Sequence, residues 1–180
     1  MGLTMKTLVA FYSLTGNTNL VASKIAALLH ADTDRILTEV PYEGGWGYAK
    51  AAYHSLIGRK VAIKASGVTP QEYDLVVVAG PVWSGRIAPP VRTYLANYRG
   101  QFRRVAFFVT QGGTSPGKAL QQMETISGAK PVETMSVQAK EVVEGRHDKA
   151  ARTKRLQQEL ARPQLNVAGL YPAQKTSLGG

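Results

Sequence analysis

Three uninterrupted apolar runs constrain this chain more than any other feature: "LVAFY" at Leu8–Tyr12, "LVVVA" at Leu75–Ala79 and "VAFFVT" at Val105–Thr110. A strand with one wet face alternates with period two, and these runs show little alternation. Short Val- and Phe-rich runs of this kind read as strands buried on both faces, as in the centre of a parallel sheet. Between them lie stripes of helical period. Val21, Ile25, Leu28 and Leu29 form one, Val91, Tyr94, Leu95 and Tyr98 a second, and Ala119, Leu120, Met123 and Ile126 a third. Each follows a strand and so reads as the crossover of a right-handed βαβ unit. Alternating strand and helix implies a parallel sheet covered on both faces. Pro89-Pro90 suits the first helical turn, where a missing N–H costs nothing. Val132–Val137 alternates more and reads as an edge strand, and Thr33–Thr38 is a weaker strand candidate of mixed polarity. In the punctuated stretch from Val40 to Pro70, Tyr48–Ile57 reads as the second helix, flanked by long loops.

With 180 residues, 44% of them hydrophobic, the chain suits one domain with a sizeable core. There is no Cys, which excludes disulfides, thiolate metal sites and cysteine nucleophiles and fits a reducing compartment. No apolar run approaches the ~20 residues of a membrane-spanning helix. The start, "MGLTMKTLVAFYSLTG", lacks a small-residue cleavage site and reads as a first strand rather than a signal peptide. A soluble cytoplasmic protein is the expectation. The three histidines, His30, His54 and His147, lack metal-ligand spacing and read as structural or exposed. No metal site is expected.

Between the first strand and the first helix stands "SLTGNT", Ser13 to Thr18. It holds three hydroxyl side chains, one Gly, one Asn and no Lys or Arg. Ligands of open α/β sheets bind at this carboxyl end of the strands. A helix N-terminus there offers unpaired N–H groups and a positive dipole end. Gly16 permits close backbone approach. The turn therefore reads as a phosphate cradle built from neutral donors. The simpler alternative is an N-cap, with Asn17 or Thr18 capping the helix that continues from Leu20. A Walker loop requires Gly-Lys-Ser/Thr and the dinucleotide fingerprint requires three spaced glycines, and neither is present.

"SLTGNT" after "TLVAFY" resembles the phosphate loop of flavodoxins, Ser/Thr-x-Thr-Gly-x-Thr. Two further segments, "YDLVVVAGPVWSGRIAPPVRTYL" and "RVAFFVTQGGT", resemble the third strand with the first flavin loop and the fourth strand with the second flavin loop. The resemblance covers roughly Met5 to Ala161. It implies a flavodoxin-like, doubly wound, five-stranded parallel sheet of order 2-1-3-4-5, helices on both faces and FMN at the switch point. Residues 5–161 would form the domain and 162–180 an irregular or disordered tail. By the same resemblance Ser13, Leu14, Thr15, Gly16, Asn17 and Thr18 would hold the FMN phosphate. Pro81, Val82, Trp83, Ser84 and Gly85 would line one side of the isoalloxazine, and Thr110, Gln111, Gly112 and Gly113 would approach the other. Trp83 is the candidate for stacking, against the alternative of a core tryptophan under the third helix. The loop from Tyr42 to Tyr48, with Trp46, is a further candidate to cover the site.

Flavin would supply the electron chemistry, and no acid/base catalyst is needed for one-electron transfer. None is expected here. Electron-carrier flavodoxins are typically acidic, whereas this chain carries a net charge of +10. Arg86 lies inside the presumed first flavin loop, Arg92 follows it and Lys118 follows the second. A positive rim would attract anionic substrates, such as the 2'-phosphate of NADPH, or an acidic partner surface. Two redox readings result: an electron-transfer flavoprotein served by a redox partner protein, or an FMN-dependent NAD(P)H:quinone-type oxidoreductase with a small acceptor. A third, non-redox binding through the basic C-terminal helix, arises from the segment after Glu144, where seven Lys/Arg face Asp148 and Glu159. A solvated helix face is the simpler account of that run. No aromatic interleaves with it before Tyr171, which argues against single-stranded nucleic acid.

Overall fold

The computed structural model describes residues 5–39, 42, 44–65, 67–113 and 116–143. The chain divides into two units, Met1–Lys149 and Ala150–Gly180, and all described residues belong to the first. The expected basic helix, His147, the domain end at Ala161 and the tail lie outside them.

Six strands and five α-helices follow one another among the described residues. They are β1 (Thr7–Phe11), α1 (Asn17–Leu29), β2 (Asp32–Arg35), α2 (Gly44–Leu56), β3 (Leu75–Trp83), β4 (Arg86–Ile87), α3 (Pro89–Asn97), β5 (Val105–Gln111), α4 (Gly117–Ser127), β6 (Glu133–Gln138) and α5 (Ala139–Val143). The long strands form one sheet in the order β2-β1-β3-β5-β6, with every pairing parallel. Counting only these five, the order is the expected 2-1-3-4-5. The two-residue β4 folds back antiparallel onto the end of β3, placing Arg86 opposite Trp83 and Ile87 opposite Val82.

Burial explains the order. All of β1 and β5 and the first six residues of β3 are buried. These apolar runs cannot occupy an edge without exposing one face, so they take the centre. The more polar β2 and β6 flank them. In β2, "DTDR", only Asp34 is buried, so this edge begins and ends earlier than the expected Thr33–Thr38. Thr38 pairs instead with Ile63 in an isolated antiparallel bridge.

Alternate residues of the central strands feed opposite faces. Leu8, Ala10, Val76, Val78, Phe107 and Val109 join Val91, Leu95, Ala119 and Met123 in the core under α3 and α4. Each fully buried Leu, Val or Phe contributes about 1.5–3 kcal/mol relative to its exposed state. The segment after α2 is tied to α3 through Thr93, whose Oγ1 accepts from the Val61 N–H at 3.0 Å and donates to the Val61 carbonyl at 2.9 Å.

Helix α2 begins at Gly44, four residues before the expected start. Gly44, Gly45 and Gly47 have poor helix propensity and hide this first turn from a reading based on apolar period. At Gly47 a side chain would collide with the Tyr42 backbone, so the glycine is a packing requirement. No helix among the described residues is long and apolar enough to cross a membrane.

Helix α3 lies close against β3 at Gly80, where an added Cβ would sit 2.5 Å from Val91 Cγ2. Gly80→Ala is expected to destabilise the protein by about 1–3 kcal/mol through overpacking. Urea unfolding measures this, and Gly80→Ala/Val91→Ala should recover part of the loss.

Candidate functional site

The register sets the geometry of the candidate site. Phe11 lies opposite Ala79, Gly80 opposite Val109 and Pro81 opposite Thr110. The chain segments leaving β1, β3 and β5 therefore emerge side by side at the carboxyl edge of the sheet. The Tyr12 N–H continues the ladder one step, donating to the Ala79 carbonyl at 3.1 Å. At this edge the chain leaves β1 toward β2 on one side while β3 lies on the other, which makes the crevice a topological switch point.

The first segment turns into α1. Its N-cap is Gly16, with φ 92° and no side-chain capping hydrogen bond. The alternative of a cap by Asn17 or Thr18 is therefore not what the helix uses. At this φ the left-handed conformation suits glycine and strains any other residue. Thr15 and Gly16 are exposed, Asn17 is half-buried, and Leu14 is half-buried and packs against the core. Leu14 thus offers only its backbone to the turn. The Ser13 hydroxyl is buried and has no hydrogen-bond partner. Thr18 is buried, and its hydroxyl pairs at 2.7 Å with that of Thr110, also buried. This bond pins the first turn of α1 to the end of β5. It also occupies two hydroxyls that the sequence reading left available.

The second segment is the β3–β4 hairpin. Ser84 (φ 50°) and Gly85 (φ 74°) are both left-handed and form its two-residue turn. Pro81, Val82 and Trp83 are half-buried, Ser84 is exposed and Gly85 half-buried. Trp83 touches the core and stands edge-on to Tyr12 at 5.8 Å and to Tyr42 at 5.7 Å between ring centroids. Its carbonyl accepts from Ser55 Oγ at 3.0 Å, tying the hairpin to α2.

The third segment follows β5. Gln111 is buried with its Oε1 unpartnered, while Gly112 and Gly113 are exposed and Gly113 has φ 132°. Two unpartnered buried polar atoms, Ser13 Oγ and Gln111 Oε1, therefore belong to two of the three segments. Buried polar groups are nearly always paired, so such orphans at one edge fit a missing ligand.

Sequence reasoning missed the aromatic wall behind Trp83. The Tyr42 hydroxyl and His54 Nδ1 form a buried hydrogen bond of 2.9 Å. Burial, partly opposed by the Arg59 charge, raises the Tyr42 pKa. Burial first, then Arg59 and Lys50, lower that of His54. The twelve-residue separation of Tyr42 and His54 carries no local signal, since Tyr42 precedes the helix that holds its partner. Trp46, offered as a cover for the site, stands 86% exposed on α2. The stretch from Gly44 onward is helix rather than the expected loop.

None of the three segments, residues 12–18, 81–85 and 110–113, contains Asp or Glu. Arg86 and Lys118 are exposed beside them and Arg92 is half-buried. Among the described residues no group of three or more His, Cys, Asp or Glu could hold a metal ion.

The flavodoxin family model matches residues 6–151. The chain belongs to the flavodoxin family. Its fold resembles that of a Lactobacillus acidophilus NCFM flavoprotein solved in complex with FMN, with 26% identity, 78% of this chain and 97% of that chain covered, and a TM-score of 0.63. A Bacteroides uniformis ATCC 8492 protein shares the fold at 20% identity and TM-score 0.69, covering 86% of this chain and 98% of its own. Among curated proteins none matches this sequence.

Two measurements probe this flavodoxin-family site without any ligand. Thr18→Val or Thr110→Val leaves one buried hydroxyl unpaired and should cost about 1–3 kcal/mol in urea unfolding. The double variant should cost clearly less than the sum of the two. His54 gives a pH signature: its folded-state pKa lies below the unfolded value of about 6.5. The unfolded chain then takes up a proton that the folded chain resists, so stability should fall as pH drops below about 6.5. His54→Gln should flatten that part of the melting-temperature profile.

Proposed function

We propose that this protein binds FMN non-covalently in the three-segment crevice and serves electron transfer. The observation that carries the reading is the uncapped N-terminus of α1 at a left-handed Gly16, next to a buried, unpartnered Ser13 hydroxyl. That is an anion site made of dipoles, and a phosphate monoester fits it. FMN is the family's cofactor and the one named with the similar Lactobacillus acidophilus structure.

The chain's residues divide the work. Ser13, Thr15 and Asn17 offer side chains to the phosphate, and Leu14, Gly16 and Thr18 offer backbone N–H groups. The Thr18 hydroxyl, committed to Thr110, holds the turn in place instead of touching the ligand. Pro81, Val82, Trp83, Ser84 and Gly85 line one side of the ring site. Trp83, braced by Tyr12 and Tyr42, supplies a rigid half-exposed indole there. The backbone of Thr110 together with Gln111, Gly112 and Gly113 closes the other side, and the orphaned Gln111 Oε1 can accept a hydrogen bond from the ring system. Bound flavin supplies one- and two-electron chemistry. The protein sets its access and potential, and cations near the ring favour adding an electron. No side chain is assigned a catalytic role and no metal is required.

A second reading is an FMN-dependent NAD(P)H oxidoreductase acting on a quinone-type acceptor. The acid-free loops with Arg86, Arg92 and Lys118 beside them favour it. A redox partner with an acidic surface is the counterpart under the first reading. Rapid mixing with NADPH or NADH separates the two. Direct, fast flavin bleaching supports the enzyme; bleaching only through an added reductase supports the carrier.

Cofactor identity is tested by fluorescence titration with FMN and with riboflavin, which lacks the phosphate. FMN should bind far more tightly, and Thr15→Val should weaken FMN by about 1.5–3 kcal/mol, roughly ten- to a hundredfold. Equal affinity for the two ligands, or a Thr15→Val protein that binds FMN like the parent, would remove the assignment.

A further inference from the structure

Two arginines beside the ring site, Arg86 and Arg92, are left unexplained by flavin binding. Arg92 sits one turn into α3, with its N–H donating to the Ala88 carbonyl at 3.1 Å. Its guanidinium is half-buried, and a Cβ on Gly58 would lie 3.9 Å from its Cζ and Nη1. Nη2 donates to Gln122 Oε1 at 3.2 Å, and the same oxygen accepts from the Ile87 N–H at 3.3 Å. Nε is buried with no partner.

The shared Gln122 oxygen places this guanidinium beside the chain at Ile87, the residue after Arg86. Burial first, and then Arg86, work against the Arg92 charge. Among the described residues neither Arg86 nor Arg92 is in an ion pair of the kind that joins Lys6 to Glu72 and Arg103 to Asp74. The flanking segments are equally bare of acid, since residues 44–65 and 81–100 contain no Asp or Glu. A half-buried guanidinium with an orphaned buried donor and, among the described residues, no ion-pair partner is a costly arrangement for a structural role. Planar forks of N–H donors match the oxygens of a phosphate. Arg86 also stands opposite Trp83 in the hairpin register. An anion held here would therefore lie beside the ring site, on the outer strand of the hairpin.

We infer that Arg86 and Arg92, with Gln122 fixing the Arg92 fork, form a second anion site that takes the dianionic phosphate monoester of a substrate or effector presented to the flavin. This rests on the FMN reading for its purpose, though not for its chemistry. The phosphate could come from the 2'-phosphate of a nicotinamide dinucleotide or from free phosphate.

Calorimetric titration of the full-length protein, saturated with FMN so that the α1 turn is filled, tests the site with 2',5'-ADP and with inorganic phosphate. Tighter binding of 2',5'-ADP assigns the site to the nucleotide; equal binding assigns it to the free anion. In either case Arg86→Gln, a change at an exposed position, should weaken binding tenfold or more and leave FMN affinity unchanged in fluorescence titration. Arg92→Lys keeps the charge, loses the fork and should also weaken binding severalfold. Absence of binding by both probes at low salt, or affinity within twofold of the parent in Arg86→Gln, would overturn the proposal. A protein that fails to bind FMN yet binds 2',5'-ADP through Arg86 would overturn the flavin reading alone.

Discussion

The parallel hydrogen-bonded ladder through β1, β3 and β5 is the constraint on which everything else rests. It exists because three apolar segments are each too hydrophobic to tolerate an edge. Once they are adjacent and in register, their exits are adjacent too. Three loops distant in sequence then share one crevice without needing to recognise one another. The hydroxyl pair of Thr18 and Thr110 refines this placement. It locks the start of α1 to the last residues of β5, so the turn at Gly16 has a fixed position relative to both neighbouring loops.

Around this scaffold the chain separates two kinds of polar chemistry. The α1 turn is built from backbone N–H groups, hydroxyls and an amide, with no formal charge. Such donors are pre-oriented by the fold, and their effect on an anion does not require long side chains to be immobilised. The guanidiniums stand elsewhere, on the β3–β4 hairpin and α3. Arg86 is exposed, whereas Arg92 is wedged against Gly58 and steered by Gln122. A resident ligand suits the first arrangement, and an exchanging one suits the partly solvated second.

Most of the architecture was legible from residue pattern, and the exceptions have physical causes. The central strands announce themselves by continuous hydrophobicity, and α1, α3 and α4 by apolar stripes. The expected strand at Thr33–Thr38 was placed late because β2 gains its position from pairing with β1, not from its own side chains, three of whose four are exposed. The first turn of α2 was hidden by glycines whose reason is contact with the Tyr42 backbone. At the site, the turn from Ser13 to Thr18 could be located from sequence, but the partners of its hydroxyls could not. Thr18 and Thr110 lie 92 positions apart, and nothing local distinguishes a hydroxyl that will meet another from one left for a ligand. The Tyr42–His54 pair was invisible for a related reason: each residue is unremarkable until burial joins them.

Paired and orphaned polar atoms also divide the loops of the site. Trp83 is held from three directions, by Tyr12, by Tyr42 and through its carbonyl by Ser55. Ser55 Oγ also lies 3.4 Å from the Ile87 carbonyl, so one α2 hydroxyl addresses both strands of the hairpin. The indole is thus positioned by its surroundings before any ligand arrives, and little side-chain entropy remains to be lost on stacking. Ser13 and Gln111 stand at the opposite extreme, desolvated without compensation. Under the FMN reading a ligand that supplies the missing hydrogen bonds would recover that cost, and stability would be coupled to occupancy at this edge of the sheet. The crevice is consequently shaped by its apolar and aromatic wall, and under the FMN reading its selectivity would come from the polar atoms that the fold leaves unsatisfied.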